Sequence, residues 1–253
     1  MKKLDKQLGA ILAAWGAIVF ISTMLLFWIP MWLTILLPEP KRTRMFILLC
    51  RVWMYLFFFF SGLRLKVRGK ENFVKGENYV VVCNHNSLMD VPLSSPFIPG
   101  ANKTIAKDDF INVPLFGMIY KRGSVLVNRK SDQSRKESYQ AMQKVLDQGL
   151  HMCIYPEGTR NRTGEPLKSF QDGAFKLAIT AQKDIIPTLI FNTGKALPAG
   201  KGFYFKPIPL AIHFLEPVSI SGESDPQILK EKVFRIMWDY LESRKNSDGS
   251  YRL

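Results

Sequence analysis

An α/β fold with a mixed, mostly parallel sheet and flanking helices, preceded by an N-terminal two-helix hydrophobic membrane anchor, follows from three observations. Short, β-branched apolar runs alternate with helical stripes from about residue 64 onward, the pattern of a layered α/β domain. Before them, Leu8 to Leu37 carries no charge at all. A second apolar block, Met45 to Leu63, follows that run. The 253-residue chain therefore divides into anchoring helices over 1–63 and one further domain, of about 190 residues, over 64–253.

Taken in order, Leu8 to Ile29 is long enough to cross a hydrocarbon core of about 30 Å as a helix. Pro30 is placed to kink or end it. A secretory signal peptide has an apolar core of roughly 7 to 15 residues and then a small-residue cleavage site. Here Phe27, Trp28, Met31 and Trp32 stand where small residues would be needed. Lys2, Lys3 and Lys6 precede the run, and Lys41, Arg42 and Arg44 follow it. Positive flanks favour the cytoplasmic side, so a two-helix anchor returning to that face is expected, with the following domain on the cytoplasmic face of the cell membrane. Arg51 and the aromatics Trp53 to Phe60 suit an interfacial, shallowly inserted second helix, with a helix buried under the domain as the alternative.

Strands are expected at 65–68, 79–83, 124–128, 151–155, 186–192 and 209–215. Between them, Ser134 to Leu146 places Tyr139, Met142 and Leu146 on one stripe, and Gly149 reads as a stop. Asp172 to Lys183 predicts a second helix. The last opens at Asp225-Pro226 and carries Leu229, Val233, Ile236 and Tyr240 at helical spacing. The polar tail after Arg244 is expected to fray.

The chemistry concentrates in Asn84-His85-Asn86-Ser87-Leu88-Met89-Asp90, just past the apolar run Tyr79 to Cys83. Five residues sweep roughly 500° on a helix, leaving His85 and Asp90 about 140° apart. The two side chains can meet only if His85 lies on the strand-to-helix loop and Asp90 on the first helical turn. In that geometry the carboxylate fixes the imidazole tautomer while the other ring nitrogen takes a proton from a substrate hydroxyl. A helix start capped by a polar side chain is the structural alternative for such a pair.

Three more segments follow: Gly123-Ser124-Val125-Leu126-Val127-Asn128-Arg129, Tyr155-Pro156-Glu157-Gly158-Thr159-Arg160 and Ile185-Ile186-Pro187-Thr188. In this order the four blocks resemble the motifs of the glycerolipid acyltransferase family, N-H-x-x-x-x-D, G-x-x-x-x-x-R, F-P-E-G-T-R and an apolar V-P-apolar strand. Tyr155 stands where that family usually has Phe, and Ile-Pro-Thr replaces Val-Pro-Val. The resemblance implies acyl transfer from acyl-CoA or acyl-carrier protein to the free hydroxyl of 1-acylglycerol 3-phosphate or a related lysophospholipid, yielding phosphatidic acid. It implies His85 and Asp90 as the catalytic pair. Substrate binding would fall to Lys107, Gly123, Arg129, Glu157, Gly158, Thr159 and Arg160, with the arginines and Lys107 on the acceptor's phosphate. Physically, Arg129 at a strand end and Arg160 after Gly158 are guanidinium donors suited to an anion. Glu157 has a structural reading as well, as a partner of an arginine or a brace for the loop. Lys107, beside Asp108 and Asp109, also reads as a surface ion pair.

The net charge of +14 and pI near 9.7 call for an anionic partner. No nucleic-acid motif is present, so the expected partner is the membrane lipid bilayer, together with the lysophospholipid acceptor and the acyl donor. No metal-ligand spacing appears, and no bound cofactor is expected. Cys50, Cys83 and Cys153 all lie in apolar runs and predict buried, reduced thiols. His151 and His213, embedded in strands, predict satisfied core histidines. Acyl transfer to another lysolipid or an aminolipid, a lipid phosphohydrolase and a non-enzymatic basic lipid-binding protein are the alternatives.

Overall fold

The computed structural model describes residues 3–128, 131–200 and 202–253. Two long helices open the chain, α1 (Lys3–Leu33) and α2 (Lys41–Phe60). Both are long and apolar enough to cross a membrane. They run antiparallel, joined where the Trp15 indole donates to the Phe60 carbonyl at 2.9 Å and the Trp53 indole to Thr23 Oγ1 at 3.0 Å. Pro30 does not end α1, which continues through it to Leu33.

Among the described residues seven strands follow, β1 (Leu65–Arg68), β2 (Val80–Cys83), β3 (Asn102–Lys107), β4 (Ser124–Val127), β5 (His151–Ile154), β6 (Ile185–Phe191) and β7 (Leu210–Phe214). They form one sheet in the order β1-β7-β6-β2-β5-β3-β4. Every neighbouring pair is parallel except β6 with β7. The helices between and after them are α3 (Asp90–Ser94), α4 (Phe116–Gly123), α5 (Asp132–Asp147), α6 (Gly173–Ala181), α7 (Thr193–Ala196) and α8 (Pro226–Arg244). The mixed, mostly parallel α/β class expected from the sequence is the class observed.

Side-chain alternation on the central strands sorts the core into two layers. Val81 and Cys83 of β2 face a layer shared with Met31, Phe46 and Trp53 of the two N-terminal helices. Val80 and Val82 face the other, with Met142 of α5, Phe175 of α6 and Val233 of α8. Thus α1 and α2 cover one face of the sheet, and α5, α6 and α8 cover the other. Arg51, the one charge in the apolar part of α2, donates to the carbonyls of Pro96 at 2.6 Å and Ile98 at 3.1 Å. Its position is against the domain, with its hydrogen-bonding groups turned to backbone oxygens.

Several elements, β3, α4 and α7 among them, lacked a sequence signal. In β3, Asn102 and Thr104 are buried at positions where an apolar residue would have marked a strand. Asn102 meets Ser95 through its own amide at 2.8 Å and accepts from Ser95 Oγ at 2.8 Å, so its burial is compensated locally. The short α4 opens after Leu115 and carries a glycine, Gly117, in its first turn, both of which weaken a helical pattern. The C-terminal tail, expected to fray, instead docks. Tyr251 packs on Phe191, and the Leu253 carbonyl accepts from Lys66 and Arg68, each at 3.0 Å.

Candidate active site

Parallel strands deliver their carboxyl ends to one edge, where open α/β sheets collect their chemistry. Adjacent in the sheet, β2 leads to His85, β5 leads to Glu157 and Arg160, and β3 ends at Lys107. The loop after β2 is pinned to β6 by Asn84, whose amide donates to the Ile190 carbonyl at 3.1 Å while its oxygen accepts from the Ile190 amide at 2.7 Å.

His85 sits on that loop and Asp90 is the first residue of α3. Their side chains meet, with His85 Nδ1 2.8 Å from Asp90 Oδ2. The same oxygen accepts from the Asn86 amide at 2.6 Å and the Ser87 amide at 2.7 Å. Asp90 is fully buried, and its Oδ1 has no partner among the described residues. With Oδ2 already accepting two amides, the matching tautomer has Nδ1–H donating and Nε2 free to accept a proton.

Glu157 holds this arrangement from the β5 side. It is buried, its Oε1 accepts from the His85 amide at 2.7 Å, and its Oε2 accepts from the Lys168 amide at 3.0 Å. Burial pushes its carboxyl up to about 7, against the pull of those two amides toward the charged form. The Asn161 amide donates to the His85 carbonyl at 2.6 Å. His85 is therefore gripped at both ends of its peptide unit by the loop that begins at Tyr155. The Tyr155 ring lies 4.6 Å from the imidazole, centroid to centroid, and its hydroxyl pairs with Ser94 Oγ of α3 at 2.7 Å.

A cavity of about 880 Å³ opens in front of His85. Its polar lining includes Lys107, Asp109, Thr159 and Arg160, and its apolar lining includes Gly16 and Phe20 of α1 and Phe46 of α2. Gly158 lies on its wall with a positive φ of 72°, the left-handed conformation that glycine adopts without steric cost. Gly123 also lines it, and a side chain there would press on the Phe46 ring. Lys107 pairs with Asp109 at 2.6 Å on the surface. Thr159 accepts from Lys168 Nζ at 2.8 Å. Glu157 does not reach the cavity; both its oxygens are turned to backbone. Arg129 lies outside the described residues.

The structure thus brings His85, Lys107, Gly123, Gly158, Thr159 and Arg160 around one space, with Asp90 buried behind His85. Asn84, Asn161 and the Tyr155–Ser94 pair were not anticipated, because their partners lie 61 to 106 residues away in the chain. His151 and His213 are buried in the core, where Nδ1 of His151 accepts from the Tyr79 amide at 3.1 Å and Nδ1 of His213 meets the Tyr240 hydroxyl at 3.0 Å. The three cysteines are free and buried, with Cys83 and Cys153 in contact at 3.7 Å.

Comparison with known proteins places this geometry in context. The 1-acyl-sn-glycerol-3-phosphate acyltransferase of Borreliella burgdorferi is 31% identical over 156 residues, covering 59% of this chain and 60% of that protein. The enzyme of the same name from Cocos nucifera is 29% identical over 217 residues, covering 83% and 69%. Human 1-acyl-sn-glycerol-3-phosphate acyltransferase beta is 30% identical over 168 residues, covering 66% and 60%. The matched region thus spans about 60% of the length of the bacterial and human relatives. In overall fold the chain is similar to the crystal structure of the 1-acyl-sn-glycerophosphate (LPA) acyltransferase PlsC from Thermotoga maritima, with a TM-score of 0.78, 24% identity and coverage of 96% and 97%. The family model described as Acyltransferase matches residues 64–191, just over half of the chain and the segment that carries all four motifs, and the protein belongs to that family.

Proposed function

We propose that the protein transfers a fatty acyl group from a thioester, acyl-CoA or acyl-carrier protein, to the free hydroxyl of 1-acylglycerol 3-phosphate, making phosphatidic acid. The observation that carries this is the oriented His85–Asp90 pair, whose imidazole faces a cavity lined both by Lys107 and Arg160 and by apolar side chains of α1 and α2. A lysophosphatidic acceptor combines the same two characters, a phosphate and an acyl chain.

In this mechanism His85 Nε2 takes the proton of the acceptor hydroxyl as its oxygen attacks the thioester carbonyl. Asp90 holds the ring and stabilises the imidazolium. The tetrahedral oxyanion then collapses, the carbon–sulfur bond breaks, and the imidazolium returns its proton to the departing thiolate. No Ser or Cys nucleophile takes part. Arg160, Arg129 and Lys107 would hold the acceptor's phosphate, with the arginines offering paired donors that lysine lacks.

The membrane supplies the acceptor. Along α1, Leu8, Ile11, Trp15, Ile18, Leu25 and Ile29 are exposed on one side. The opposite side touches the domain over its whole length, from Gly9, whose carbonyl accepts from Phe205 N at 3.0 Å, to Trp28, whose indole donates to the Leu115 carbonyl at 3.1 Å. Those points are about 29 Å apart along a helix. In this reading a helix leaning on the domain for that distance lies in one leaflet, with basic residues at the membrane surface and the domain on the cytoplasmic face.

Mass spectrometry of products tests the proposal. Detergent-solubilised protein given mixed lysolipids and acyl-CoA should convert 1-acylglycerol 3-phosphate to phosphatidic acid with release of one thiol per product. Acylation of a different lysolipid in preference would replace the acceptor, and release of inorganic phosphate would replace the reaction.

A further inference from the structure

A second apolar surface adjoins α1, and nothing in the acyl-transfer chemistry accounts for it. From Phe110 to Tyr120 the chain carries no charged residue; Asp108 and Asp109 precede the stretch directly, and Lys121 and Arg122 follow it. Phe110, Val113 and Leu115 are 37%, 41% and 44% exposed, although each is a large apolar side chain. The segment is nevertheless tightly held. The Gly117 amide donates to the Val113 carbonyl at 2.7 Å, and Gly117 approaches Ile111 so closely that a Cβ would lie 2.2 Å from its carbonyl oxygen. Beneath the loop, Phe110, Phe116 and Tyr120 pack together, and Phe116 reaches Phe20 of α1 at 6.3 Å.

Leu115 has φ 62° and ψ −48°, a backbone conformation disfavoured for any residue with a branched side chain. In it the Leu115 carbonyl receives the Trp28 indole while the side chain stays half exposed. The protein therefore maintains backbone strain at a position that keeps leucine on the surface beside the exposed row of α1. A soluble partner protein would need polar groups to match at its rim. This loop offers apolar side chains that continue the exposed row of α1, between Asp109 on one side and Lys121 on the other, and an apolar surface of that kind is the complement of an acyl-chain layer.

We propose that the Phe110–Leu115 loop is a third bilayer-inserted element beside α1 and α2, and that its partner is the acyl-chain region of the membrane. The inference rests on the interfacial placement of α1 proposed above. Because Phe110 and Phe116 also line the cavity in front of His85, the loop forms the partition between that cavity and the surrounding lipid. A lipid acceptor reaching Arg160 from the bilayer would pass along it.

Depth-resolved fluorescence on the full chain tests this. Cys50, Cys83 and Cys153 are buried, so an environment-sensitive dye can be attached to folded Val113→Cys, to Ile18→Cys on the exposed side of α1 and to Glu231→Cys on the opposite face of the molecule. In phosphatidylglycerol/phosphatidylethanolamine vesicles, the dye at 113 should shift to shorter wavelength and be quenched by shallow spin-labelled lipid as at 18. The dye at 231 should be quenched only by aqueous iodide. An inserted dye at 18 with a water-exposed dye at 113 would overturn the loop proposal and leave the α1 placement standing; water exposure at both would overturn the two together. A blue shift at 113 that needs no lipid and grows with protein concentration would identify a second copy as the partner and also overturn it. In parallel, Val113→Asp should lower turnover of vesicle-embedded lysophosphatidate at least 10-fold with short-chain soluble lysophosphatidate unaffected, and equal losses on both would contradict the proposal.

Discussion

One oxygen of Asp90 serves three donors while the other, equally buried, serves none among the described residues. Removing its charge therefore disturbs the imidazole and the loop amides together. Asp90→Asn is expected to lower kcat by about 100-fold or more, within the range typical of acid–base groups, with little change in the acceptor's KM. A raised KM at unchanged kcat would make Asp90 a binding residue. Tyr155→Phe restores the residue usual in the family motif but strands Ser94 Oγ in a buried site. It should cost about 1 to 2 kcal/mol of stability and only a few-fold in kcat, measured by denaturation in detergent and by thiol release. The pairing of His85 with Asp90 could be read from the sequence because it is local, five positions apart. The grip of Glu157 and Asn161 on the His85 backbone could not, since no spacing rule links residues on separate strands.

Among the elements, β2, β5 and β6 were visible because they are buried on both faces and read as mostly apolar runs. By contrast, β3 hides its buried positions behind Asn102 and Thr104, and α3, with Pro92 inside five residues, is too short to show a period. For the N-terminal helices, hydropathy revealed length but not packing. Val19, Met24 and Met31 of α1 are buried in the core layer shared with α2 and the domain. At about 1.5 to 3 kcal/mol for each such side chain, their loss is comparable with a net stability of about 5 to 15 kcal/mol. Deleting residues 1–37 is therefore expected to yield an aggregating protein with a strongly lowered melting temperature, and not simply a soluble enzyme. A monodisperse truncation melting within a few degrees of the full chain would show that α1 contributes little to the fold.

For the molecule as a whole, buried titratable groups set the response to pH. Burial, the larger cause in both, holds His151 and His213 down to about 4, with Arg68, Arg244 and Lys66 adding repulsion at His213. Each contributes stability that is present above the unfolded value near 6.5 and lost as pH falls toward 4. Glu157 has the opposite sign: its raised value favours the folded state below 4.5, and that contribution is lost as pH rises through about 7. With two histidines against one glutamate, stability should fall on acidification from pH 7 to pH 5, by about 1 to 3 kcal/mol. A melting temperature that rises over that interval in detergent would contradict the burial of these histidines. The central claim is that His85 moves the acyl group directly between the two substrates, and lysolipid-dependent thiol release from acyl-CoA by wild type and His85→Ala, side by side, tests it most directly. Direct transfer predicts one free thiol per phosphatidic acid in the wild type and a loss of about 100-fold to 10,000-fold in the variant with the melting temperature unchanged. Wild-type turnover by His85→Ala, or a stoichiometric burst of thiol before any lysolipid is added, would contradict it.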